Sequence, residues 1–148
     1  MVRKNYFVLA MLAMAVISLT GRAYSEEKKH EHEHKSPHGG ALLEVGAEVA
    51  HLELVHDEKA GKVTLYVLDG EAKNAVPIKD APKLNIKSKD GNKQIETKSV
   101  DAKDGMASKF EATDDALKAD PLQGRIVVSI KDKKYNVDIK EDRDHDHK

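Results

Sequence analysis

Histidine is the residue type with the most chemical potential in this chain, and it is unevenly placed. Of eight histidines in 148 residues, His30, His32 and His34 alternate with Glu31 and Glu33, while His145 and His147 flank Asp146. Alternate positions of an extended backbone project to one side, about 6.5–7 Å apart. A chain free to bend can close such imidazoles round one ion, and imidazole nitrogen binds Zn²⁺, Ni²⁺, Co²⁺ or Cu²⁺. The interleaved carboxylates raise the local negative potential and add oxygen donors. Short His-rich tracts are a compositional metal signal; the bland alternative is a pair of solubilising tails. Ligands on a disordered segment lose conformational freedom on binding, which lowers affinity. That suits capture or hand-over better than a fixed centre.

The other three histidines fall in the body of the chain. His38 precedes Gly39-Gly40, and the backbone freedom of glycine lets its imidazole be held at a sheet edge; a simple turn histidine is the alternative. His56, followed by Asp57 and Glu58, is placed to ligate from a loop. His51 lies five positions earlier, so in a regular strand the two face opposite sides. It reads as a surface or hydrogen-bonded histidine rather than a ligand. The expected metal ligands are therefore His30, His32, His34, His38, His56, His145 and His147. The chain has no cysteine, and Met106 is its only methionine after residue 25. Cu(I), which takes soft sulfur ligands, is disfavoured. A divalent transition metal, Zn, Ni, Co or Cu(II), is the expected cofactor.

These residues need elements to position them. Residues 1–25 carry Arg3 and Lys4, an apolar stretch over residues 6–19, and the small residues Gly21, Ala23 and Ser25. That is the layout of a secretory signal peptide, and the apolar run is short of the ~20 residues that span a membrane. Removing it would take away Arg3, Lys4 and Arg22 and no acid, leaving 22 basic against 26 acidic residues and all eight histidines. No disulfide can form without cysteine, so an exported domain of this size must rest on its core alone. A bacterial periplasm or equivalent envelope space fits best. Acids and bases are mixed throughout, and no basic stripe interleaves with aromatics, so nucleic acid is not an expected partner.

Residues 26–36 are almost wholly charged and read as a disordered His/Glu-rich tail; residues 141–148 read as a second, His/Asp-rich one. Between them, residues 37–140 read as one domain of short strands. Apolar runs at 49–55 and 63–68 flank a charged connection, residues 56–62, containing Gly61, and form a hairpin. Residues 84–87 alternate and turn at Asp90-Gly91 into a returning strand over 94–100. Residues 108–112 form another strand. A helix of at most two turns follows, capped by Thr113 and stopped by Pro121. Residues 124–130 and 135–139 make a second hairpin. The core is expected to be aliphatic, with Tyr66, Phe110 and Tyr135 as its aromatics. Seven or eight short strands and no long amphipathic helix predict an all-β fold, an immunoglobulin-like β-sandwich with one short helix; a small open barrel is the alternative.

No catalytic signature is present: there is no Gly-x-Ser-x-Gly elbow, His-Glu-x-x-His helix, phosphate loop or dinucleotide fingerprint. A non-enzymatic protein is expected.

The residues Pro37-His38-Gly39-Gly40, the strand "HLELVHD" at 51–57, "LYVLDG" at 65–70 and Ala75-Val76-Pro77-Ile78 resemble a family of small exported bacterial proteins that begin with His-Gly-Gly. The layout is also similar to the N-terminal β-sandwich module of periplasmic adaptor subunits of resistance–nodulation–division heavy-metal efflux pumps. The resemblance covers residues 37–139 and is strongest over the first 40 of them. It implies an exported sandwich associated with metal handling, with His38 at the matching His-Gly-Gly position. The adaptors' coiled-coil, lipoyl and barrel domains have no counterpart here. Two functions follow as expectations. The first is sequestration or hand-over of a divalent metal by the His-rich tails, with a link to heavy-metal efflux. The second is an interaction module docking an envelope or efflux-pump protein at a sheet edge, residues 75–78, where Pro77 breaks the ladder.

Overall fold

The computed structural model describes residues 35–139; the expected signal peptide, most of the expected N-terminal tail with His30, His32 and His34, and the expected C-terminal tail with His145 and His147 lie outside the described residues. Among the described residues nine strands form: β1 (Ala41–Val45), β2 (Ala50–Asp57), β3 (Lys62–Leu68), β4 (Lys83–Ser88), β5 (Gly91–Glu96), β6 (Lys98–Val100), β7 (Lys109–Thr113), β8 (Gly124–Ile130) and β9 (Lys133–Ile139). They make two antiparallel sheets, ordered β1-β2-β3-β7-β6 and β5-β4-β8-β9. With β1 set aside, this is the A-B-E-D and C′-C-F-G order of an immunoglobulin-like sandwich. The expected fold class is the observed one.

Alternation explains why the sheets pack as they do. Leu52 and Leu54 of β2, Val63, Leu65 and Val67 of β3, and Phe110 of β7 form the inner face of the larger sheet. Leu84 and Ile86 of β4, Ile126, Val128 and Ile130 of β8, and Val137 and Ile139 of β9 face them. Each such side chain contributes roughly 1.5–3 kcal/mol by leaving water. Leu117 and Leu122, between β7 and β8, are buried in the same core.

The structure departs from the sequence expectation in several places. The expected strand over 94–100 is two strands in different sheets. Thr97 is the only residue between them, buried, with its hydroxyl donating to the Pro82 carbonyl at 2.6 Å. The helix is one 3-10 turn, Asp115–Lys118, and its cap is Asp114, whose carboxylate accepts from the Ala116 N–H at 2.9 Å. Lys93 holds the Asp114 carboxyl below the usual range, helped by that N–H. Pro77 and its neighbours form no strand, only isolated bridges at Ala75 and Ile78. Tyr66 lies outside the core, because Val63, Leu65 and Val67 already occupy the inner parity of β3. Among the described residues no helix is long and apolar enough to cross a membrane.

Candidate functional site

On the outer side of the larger sheet, mid-strand in β2, Glu53 is fully buried, with 0% of its side chain exposed. A carboxylate out of water is costly unless donors replace its hydration. Four do so, all from the segment preceding β1. The Ser36 hydroxyl donates to Oε1 at 2.7 Å, the His38 backbone N–H at 2.6 Å and the Gly40 backbone N–H at 3.1 Å. The His38 ring meets Oε2 through Nδ1 at 2.7 Å. Burial pushes the Glu53 carboxyl up, but the hydrogen bonds from His38, Gly40 and Ser36 together outweigh it and hold it below its usual value. Glu53 is thus a buried acceptor whose surroundings favour its ionised form.

The two glycines make this strap possible for different reasons. Gly39 has φ +77°, a left-handed conformation that side chains disfavour. At Gly40 the constraint is space: a Cβ would stand 2.4 Å from the Leu54 carbonyl oxygen. The His-Gly-Gly sequence is therefore the means by which the chain turns back flat onto β2.

The His38 ring also stacks on Tyr66, centroids 3.7 Å apart and planes 3° from parallel. Tyr66 is the register partner of Glu53 on β3, and Lys109 is that of Tyr66 on β7. The three outer side chains form one row across the sheet. Lys109 Nζ lies 5.7 Å from the Tyr66 ring centroid and 3.6 Å from Glu111, which also takes Lys62 at 2.9 Å. The His38 side chain remains 41% exposed. With Nδ1 directed inward to Glu53, Nε2 is the ring nitrogen on the outer edge. A histidine that gives one N–H to a carboxylate and presents the other nitrogen is the arrangement found at metal-ligating histidines.

The remaining sequence candidates are placed elsewhere. His56 lies in β2 and not in the connection after it, and its Nε2 meets the Leu117 carbonyl oxygen at 2.6 Å, tying the strand to the 3-10 turn. His51 is buried, with Nδ1 3.2 Å from the Asp69 carbonyl oxygen. Of the seven candidate ligands, His38 and His56 are described, and the structure does not bring them together. Among the described residues, no three His, Asp or Glu side chains gather as a metal-holding group.

Glu53 went unnoticed in the sequence, although a lone acid between Leu52 and Leu54 on a strand flanked by apolar residues was the available signal. Ser36, assigned to the tail, belongs to the folded body. No protein-family model matches the chain, and neither a curated protein nor a solved structure matches it.

Proposed function

We propose that this chain is an exported, non-enzymatic protein that binds a divalent transition metal through its His-rich segments, for sequestration or hand-over, with His38 as the ligand fixed in the folded body. The observation that carries this reading is the His38–Glu53 pair: a half-exposed imidazole whose inner nitrogen is held at 2.7 Å by a buried carboxylate. Such a ring is already oriented, and the negative charge behind it favours a cation in front. The composition of the tails supports the same reading, as does the resemblance to adaptor modules of heavy-metal efflux, from which a role beside efflux is part of the proposal. Calorimetric titration of Zn²⁺, Ni²⁺ and Cu²⁺ into the full chain is the test, alongside a variant with His30, His32, His34, His145 and His147 replaced by alanine. Micromolar or tighter binding that is lost in the variant is the expected result. No binding by the unaltered chain sinks the reading.

A second reading has its own observation. β1 and β9 each pair on one side only, and an open cleft of about 420 Å³ lies against both, lined by Leu42, Leu43, Glu44, Gly46, Asn136, Val137 and Asp138. An interaction module would take an extended segment of an envelope partner there. It predicts partner binding that is indifferent to metal and to the tail histidines.

A further inference from the structure

We infer that a second copy of this chain covers the β1–β9 side of the sandwich. In that dimer β1 of each copy lines up beside β9 of the other, and Glu44 of each faces Lys134 of the other. The inference is independent of metal binding and concerns a face that the metal-binding reading does not use.

The four sheet edges are not alike. β6 is three residues long and begins at Lys98, β5 is exposed along most of its length and carries Lys93, and β9 carries Lys133 and Lys134. Short length and lysine are means by which an edge is kept from pairing with another chain. β1 has no such guard. It reads Ala41-Leu42-Leu43-Glu44-Val45, with no lysine or proline, and it pairs with β2 at all five positions without a bulge. Its other side is a regular template for one more strand.

Parity and charge decide what suits that template. Along β1, Leu43 and Val45 are buried and Glu44 is exposed; along β9, Val137 and Ile139 are buried while Lys134, Asn136 and Asp138 are exposed. A β9 strand set beside β1 therefore continues both the apolar inner face and the polar outer one. Of the outer charges, Asp138 already takes Arg125 at 2.9 Å. Among the described residues neither Glu44 nor Lys134 belongs to an ion pair; Glu44 accepts only the Glu48 backbone N–H, at 3.2 Å. Crossing the strands brings these two charges together.

β1 and β9 border the same open cleft, so both edges lie on one side of the sandwich. A two-fold axis running along the strands then presents β9 of the second copy to β1, and β1 of the second copy to β9, in a single step. Such an interface is isologous and closes at two subunits. The other two-fold arrangement sets β1 against β1. It offers Glu44 no cation, since β1 contains none.

Sedimentation equilibrium of the full chain in EDTA, which removes any metal bridge, is the test. A monomer–dimer equilibrium that weakens as salt is raised is the expected result. E44K and K134E each set like charges face to face at both contacts of the dimer, and each is expected to weaken dimerisation about 10- to 100-fold. Both positions are exposed, so urea midpoints should stay near that of the unaltered chain. An equimolar mixture of the two variants supplies a readout that lost stability would not restore. In the mixed dimer each introduced charge meets its opposite, and dimerisation should return. A chain that is monomeric at every concentration overturns the inference and leaves the cleft to a different partner. Association that EDTA abolishes overturns it, as does a dimer that E44K and K134E leave unchanged. Weakening that the mixture does not repair overturns the crossed pairing of Glu44 with Lys134. Metal binding, read separately by calorimetry, stands or falls apart from all of these.

Discussion

The outer faces of the two sheets differ in a way their inner faces do not. On the four-stranded sheet, outward side chains such as Asn85, Arg125, Asn136 and Asp138 are exposed or half-exposed, and polar partners there meet at the surface. On the five-stranded sheet, residues 50–54 of β2 are buried on both faces, so His51 and Glu53 lie under cover. The cover is supplied by chain outside the strands: the Asp69 carbonyl for His51, and the strap from Ser36 to Gly40 for Glu53. A strand that needs only its inner face gains nothing from a buried acid on the other. Such an acid persists where a second segment is built around it, and here that segment is the one bearing the half-exposed imidazole.

The largest way to break this asymmetry is Glu53→Ala. It leaves three donors of the strap and the His38 ring without their acceptor. The expected cost is about 3–5 kcal/mol, the range for breaking a buried charged pair. Asn85→Ala, at an outer position of the other sheet, is expected to change stability by no more than ~0.5 kcal/mol. Urea unfolding of both variants makes the comparison. A Glu53→Ala cost near that of Asn85→Ala would mean that the strap contributes nothing to stability.

Acid sharpens the same contrast. The Glu53 carboxyl is held below its ordinary value of 4.5, burial opposing and the His38, Gly40 and Ser36 hydrogen bonds prevailing. An acid whose folded value is depressed binds protons more readily unfolded than folded. Its stabilisation is therefore fully present above the ordinary carboxylate range and is lost as pH falls through the folded value. Metal-free protein should lose stability below about pH 4.5, and E53Q should lack the part of that loss that belongs to Glu53. Melting temperature measured from pH 7 down to pH 3 for both chains checks this. Parallel curves would show that other carboxylates carry the acid response.

How much of this was legible in the sequence follows the same divide. The four-stranded sheet was readable because Ile126, Val128 and Ile130 alternate with polar residues, as do Tyr135, Val137 and Ile139. Periodicity reports which side of a strand faces the core, and in β8 and β9 nothing else intervenes. The break at Thr97 was hidden because one residue changes sheets without any glycine or proline to mark it. His38 was marked by the Gly-Gly after it. Glu53 was not, since an acid at an outward position looks solvated until the covering segment is known. That segment is joined to it by tertiary contacts across 13 to 17 residues, which no local pattern encodes. Tyr66 was misplaced by its aromatic character, although the parity of β3 already turned it outward.

A smaller effect is expected at the hairpin joining β8 and β9. Lys131 and Asp132 both have positive φ, 50° and 62°, the pair of left-handed residues that a two-residue turn of this hand requires and that Asn-Gly supplies with least strain. The double substitution K131N/D132G should raise stability by about 1 kcal/mol, read from the urea midpoint at unchanged slope. An unchanged or lowered midpoint would mean that the two left-handed residues carry no strain that Asn-Gly relieves.

The smallest effect tests the exposed face on its own terms. Arg125 Nε lies 2.9 Å from Asp138 Oδ1 across β8 and β9, with side chains 54% and 62% exposed. The separation matches that of His38 and Glu53 to within 0.2 Å, so distance alone would rank the pairs together. Solvent decides otherwise. Water already serves both members of the exposed pair, and ordering two long side chains offsets much of the attraction. Arg125→Ala should cost no more than ~0.5 kcal/mol, and less as salt is raised. A double-mutant cycle with Asp138→Ala isolates the pair from the packing of the arginine stem. A coupling above ~1 kcal/mol that survives high salt would place a strong charged pair on the solvated face, and burial would no longer separate the two sheets.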